Sequence, residues 1–113
     1  MRVYSRGDSH LLCGHWNGSP LEIGLTGRLT ALPQGETYHA HPFREYFVVL
    51  EGRGAVLVDG RRVDVEAESA VMIEAEEPHR WLWIDPDAGI RWVLVKESSG
   101  PHAKTVVPEP DLT

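Results

Sequence analysis

One cysteine, Cys13, is present in 113 residues. It has no partner for an internal disulfide, and a thiolate metal knuckle is excluded with it. Long apolar runs are missing as well. The longest, Tyr46-Phe47-Val48-Val49-Leu50, falls far short of the roughly 20 residues that span a bilayer as a helix. The first fifteen residues place Asp8, His10 and His15 around Leu11-Leu12-Cys13 and lack the apolar stretch of a secretory signal, so cytoplasmic residence is expected. Basic residues are scarce: 11 Lys and Arg stand against 17 Asp and Glu, a net charge of −6. With no basic stripe to release counterions from a phosphate backbone, no nucleic-acid partner is expected. Helical periodicity is absent too, since no window of eleven residues sustains apolar spacing at i, i+3, i+4.

What the chain does contain is punctuation. Eleven Gly and eight Pro separate short runs rich in Val, Ile, Leu, Tyr and Trp, the spacing of an all-β sandwich or barrel. Strands are expected at 21–25, 28–32, 37–41, 45–50, 55–58, 62–65, 70–73, 79–84, 90–96 and 104–107. Pro33-Gln34-Gly35, Glu51-Gly52-Arg53-Gly54 and Asp85-Pro86-Asp87 are expected turns, and Asp59-Gly60 is a hairpin signal. A single domain over 1–113 is expected, with a barrel core at about 21–96, a peripheral N-terminal segment 1–20 and a peripheral tail 97–113.

His39 and His41 lie two residues apart, which in a strand points both imidazoles to one face. Glu45 can return to that face after the bend at Pro42-Phe43-Arg44. The full pattern is His-x-His-x3-Glu-x6-Gly, ending at Gly52 and followed 27 residues later by His79 after Pro78. A chain of this composition meets the first part by chance about 0.003 times, so coincidence is a poor account of it. The pattern resembles the cupin superfamily, in its small single-domain form, over roughly Leu25 to Val95. Where that family carries Pro-x-Gly-Asp before the last strand pair, this chain reads Ala67-Glu68-Ser69-Ala70. The resemblance implies an antiparallel double-stranded β-helix, or jelly-roll barrel, with His39, His41, Glu45 and His79 as four metal ligands.

Three neutral imidazoles and one carboxylate suit one divalent transition metal per chain, Fe, Mn, Ni, Zn or Cu, and leave it a residual charge of about +1. Strand alternation extends the site. With Glu45 inward, Phe47 and Val49 are expected inward. With His79 inward, Trp81 and Trp83 follow, leaving Arg80, Leu82 and Ile84 outside. Phe43 and Met72 are expected to join Phe47, Trp81 and Trp83 in an apolar, largely aromatic substrate pocket. Tyr46, Val48 and Leu50 make the opposite face of the same strand apolar, which points to a homodimer.

Other charged and polar groups receive structural readings. Arg44 and Arg80 read as surface residues, His10, His15 and His102 as exposed, Cys13 as a small buried hydrophobe, and Glu66, Glu68, Glu74, Glu76 and Glu77 as a solvated rim. No inward proton-transfer group is identified beyond the metal ligands. Two functions fit. One is a metal-dependent enzyme on a small organic substrate, either a dioxygenase or an isomerase, decarboxylase or lyase. The other is a small-molecule binding or sensory barrel in which the metal is structural.

Overall fold

The computed structural model describes residues 1–7, 9–98, 100 and 103–110; His102 lies outside them, as does part of the turn-rich run after Ser98. The described residues form nine strands: β1 Leu11–Cys13, β2 Glu22–Leu25, β3 His39–Ala40, β4 Glu45–Val58, β5 Arg61–Glu66, β6 Ala70–Ile73, β7 His79–Ile84, β8 Ile90–Lys96 and β9 Thr105–Val106. A single 3₁₀ turn, His15–Asn17, is the one helical element among the described residues. No helix among them is long and apolar enough to cross a membrane.

The strands make two antiparallel sheets that share β4. Its first half pairs with β6 and β8, and its second half with β5 and β7. The first sheet thus runs β1-β2-β8-β4-β6, and the second β5-β4-β7-β3-β9. This is the jelly-roll barrel. Two expected strands, 45–50 and 55–58, are one continuous strand that bends between the sheets, where a turn was expected at Glu51-Gly52-Arg53-Gly54. Gly52 makes the bend: its φ is +78°, and a Cβ there would lie 1.9 Å from the Gly89 carbonyl oxygen.

Two bulges reset which side chains face the core. Between Val49 and Glu51 the pairing of β4 with β8 slips by one residue. Glu45, Phe47 and Val49 are buried before the slip, and Val56 and Val58 belong to the core after it. On β7 the slip omits Leu82, since Trp81 faces Val56 and Trp83 faces Ala55. The core that results is Phe47, Val49, Val56, Val58, Val65, Ile73, Trp81, Ile84, Ile90 and Trp92.

Two local expectations are corrected. Residues 28–32 form no strand: Leu29 makes one bridge to Ile90, placed where β2 has already ended and left the end of β8 open. The Leu11–Cys13 strand was not anticipated; it pairs along β2 at the sheet edge, and Cys13 is buried as a small apolar residue.

Candidate metal centre

His39 on β3 is paired directly with His79, the first residue of β7. His41 follows the end of β3, and Glu45 opens β4. The fold therefore brings the four residues to one end of the barrel, with one ligand atom of each within 4.8 Å of the others. Glu45 and His79 are 3% and 2% exposed, His41 is buried, and His39 is half-buried.

The hydrogen bonds behind the imidazoles decide what faces inward. Nδ1 of His39 lies 2.6 Å from the Thr37 carbonyl oxygen, that of His41 2.6 Å from Ala103, and that of His79 2.9 Å from Glu77. A carbonyl only accepts, so each Nδ1 carries a proton, and a ring that is neutral presents an Nε2 lone pair. Burial, opposed by the Thr37 bond and aided by the neighbouring His79, His41 and Lys104, lowers His39 to a pKa of about 4; burial likewise lowers His41, so both are neutral near pH 7.

The lone pairs meet a carboxylate. His41 Nε2 and His79 Nε2 lie 3.0 and 3.2 Å from Glu45 Oε1, and that buried oxygen receives no hydrogen bond. Burial raises the Glu45 carboxyl, while His79 and His41 when protonated, together with Lys96, pull it below its ordinary range. Acceptors facing acceptors in a buried site repel one another unless a cation sits between them. The donor set therefore fits a divalent metal, and this group can hold one.

The cluster opens on a cavity of about 270 Å³. Phe47 and Trp81 line it as expected from alternation, joined by Trp92 and Leu94. Trp81 lies 4.5 Å from Trp92, tilted at 32°, and 5.5 Å from Phe47, ring centre to ring centre. The other three expected pocket residues are elsewhere. The omitted Leu82 turns Trp83 outward, where it is 37% exposed under the Arg62 guanidinium, and brings Ile84 inside instead. Met72 pairs with Tyr46 on the outer face and is 46% exposed, because its neighbours Val71 and Ile73 pair with the inward Phe47 and Glu45. Phe43 is outside the cavity lining and stacks on the His41 ring at 4.9 Å and 13°.

Charged groups missed in the sequence also line the cavity: Glu36, Lys96 and Lys104. Counting by twos from buried Ile90 reaches Trp92, Leu94 and Lys96, so β8 held the signal. Glu36 accepts a hydrogen bond from the Trp81 backbone amide at 2.8 Å. Arg44 and Arg80 are occupied elsewhere, with Glu74 and Glu109. A larger depression, about 570 Å³ beside Arg53, Asp64 and Trp83, contains none of the four donors.

A family profile described as a cupin domain matches residues 28–96. The chain is a cupin. Among solved structures, a cupin 2 domain-containing protein from Halorhodospira halophila matches with a TM-score of 0.69 at 18% identity, over 89% of this chain and 67% of that one. A cupin protein from Bacteroides fragilis matches with a TM-score of 0.58 at 18% identity, over 88% of both chains. The DMSP lyase DddQ from Ruegeria pomeroyi matches with a TM-score of 0.57 at 17% identity, over 80% of this cupin and 44% of the lyase. No curated protein matches the chain.

Proposed function

We propose that this cupin binds one first-row divalent transition metal through His39, His41, Glu45 and His79, and acts as a small metal-dependent enzyme on a small organic substrate. The observation that carries this reading is the set of imidazole lone pairs turned onto the unbonded Glu45 Oε1. A metal held there supplies Lewis acidity or, if redox-active, electron transfer to oxygen and substrate. The carbonyls of Thr37, Ala103 and Glu77 hold the Nδ1 protons and so aim the three Nε2 atoms inward. Phe43 restrains the His41 ring from behind, while Phe47, Trp81, Trp92 and Leu94 exclude water beside the reacting centre.

The reaction class divides between an oxygen-dependent dioxygenase and a non-redox isomerase, decarboxylase or lyase. The structural likeness to a DMSP lyase is in keeping with the second group. To test this, the protein is loaded separately with Fe(II), Mn(II), Ni(II) and Zn(II). Oxygen uptake is then measured with catechols, thiols and diketones, alongside isomerase, lyase and decarboxylase assays. Turnover that His41→Ala abolishes, with the melting point of the metal-free protein preserved, supports the enzyme. Strong thermal stabilisation by metal with no turnover in any assay favours the binding barrel.

We also infer a homodimer acting inside the cell. On the outer face of the first sheet Ile23, Val95, Tyr46 and Met72 pair in one row, and Leu25, Val93 and Val48 in the next. All are half-buried or exposed, an apolar surface suited to a second copy. Sedimentation velocity tests it: Val48→Glu is expected to convert a dimer to a monomer, and a wild-type monomer contradicts the assembly.

A further inference from the structure

Lys96 has no part in holding a metal, yet it is built into the cavity wall. It is 8% exposed, and its Nζ lies 3.1 Å from Oε2 of Glu22, itself 4% exposed. Strand register sets Glu22 directly opposite Lys96 on one side and Glu45 opposite it on the other. A carboxylate, an ammonium and the candidate metal carboxylate thus form one row across β2, β8 and β4. Fold stability does not require this row, because a buried ion pair is often no more stabilising than apolar side chains of equal volume. An apolar residue at 96 would simply continue the strip of Ile90, Trp92 and Leu94. A buried charge kept at a cavity wall is better explained by what enters the cavity.

The charge balance states what that is. Among the described lining residues, Glu36 and Glu45 offset Lys96 and Lys104, and a divalent cation then leaves an excess of two positive charges. Glu22 behind Lys96 reduces the excess to one. The space, about 270 Å³, equals roughly nine water volumes at about 30 Å³ each. A small monoanion matches both charge and size, whereas a phosphate dianion exceeds the charge. Lys104, exposed beside the same cavity, adds attraction at its entrance.

Resting on the metal reading above, we propose that Lys96, positioned by Glu22, binds the carboxylate of the ligand, and that this cupin takes a small monocarboxylic acid. The test uses protein loaded with Co(II), titrated calorimetrically with lactate and with 1,2-propanediol, which keeps the carbon skeleton and a hydroxyl but no charge. Cobalt content is read by plasma mass spectrometry in every sample. Because Lys96→Met strands Glu22 as a buried charge, the double variant Glu22→Gln with Lys96→Met is measured beside it. Both variants are expected to keep about one cobalt per chain and to lose about tenfold or more in lactate affinity, the range of a charged hydrogen bond, with diol binding unchanged. Lys96→Arg is expected to recover part of the loss. Equal lactate affinity in wild type and a cobalt-loaded variant overturns the proposal alone, as does a wild type that binds lactate no better than the diol. Failure of the wild type to take up cobalt overturns the metal reading, and the proposal with it.

Discussion

The two ends of this barrel bury carboxylates in opposite ways. Where β7 ends, Asp85 is 4% exposed and fully engaged: its Oδ1 accepts from the Asp87 and Ala88 amides at 2.8 and 3.0 Å, and its Oδ2 from Arg53 Nε at 2.6 Å. The Ala88 amide, Arg53 and the Asp87 amide hold its pKa down to about 2. Where β7 begins, Glu45 is as deeply buried but turns Oε1 toward imidazole lone pairs and receives no hydrogen bond. A carboxylate that serves the fold is satisfied by the fold. One left facing other acceptors is a place where a cation from outside the chain fits.

The contrast can be broken from either end. The largest effect expected is on metal affinity: His39→Ala, which removes a half-buried donor, should weaken it by about 1,000-fold while shifting the metal-free melting point by less than about 3 °C. Isothermal titration and calorimetric melts check the two halves. At the other end Gly52→Ala forces a Cβ against the Gly89 carbonyl at a positive φ and should cost about 3 kcal/mol in urea unfolding. Asp85→Ala leaves the Asp87 and Ala88 amides and Arg53 without their acceptor and should lower the melting point by about 5 °C or more, with metal affinity unchanged.

Acid separates the ends by order of failure. His39 in the folded chain titrates near 4 rather than 6.5, so the unfolded chain takes up its proton first and stability of the metal-free protein falls as pH drops from 6.5 through 4. Protons compete with metal over the same window. Asp85 titrates near 2 rather than 3.8, so its contribution, present above 3.8, is lost only as pH falls through 2. Urea unfolding and metal retention measured from pH 7 to pH 3 should show the donor end failing first. The smallest effect belongs to Val3→Ser, 78% exposed and away from the cavity, which should change stability by less than about 0.5 kcal/mol and leave metal and ligand binding unchanged.

Much of this was legible in the residues, up to the bulges. His39 and His41 share a face because strands repeat every two residues, and Glu45 and His79 sit with them at the starts of β4 and β7. Phe47 and Trp81 followed from the same rule, since each lies two residues inside a strand before any slip in register. Trp83 did not, because the extra residue at Leu82 reverses the alternation, and a bulge leaves no mark in a run such as His79–Ile84. Met72 failed for want of an anchor: nothing in Ala70–Ile73 shows which face is inner until Glu45 is paired with Ile73. Lys96 was readable from Ile90 but ends an apolar strip with a charge, and its burial depends on Glu22, a partner 74 positions away.

The central claim is that the four donors are completed by a metal ion, and metal content of untagged protein by plasma mass spectrometry tests it most directly. Wild type should carry about one equivalent of a first-row transition metal after purification or reconstitution, and His39→Ala and His41→Ala below about a tenth under the same conditions. Wild type below about a tenth of an equivalent, with no uptake on adding Fe(II), Mn(II), Ni(II), Zn(II) or Cu(II), contradicts the account, as does full retention of metal in both variants.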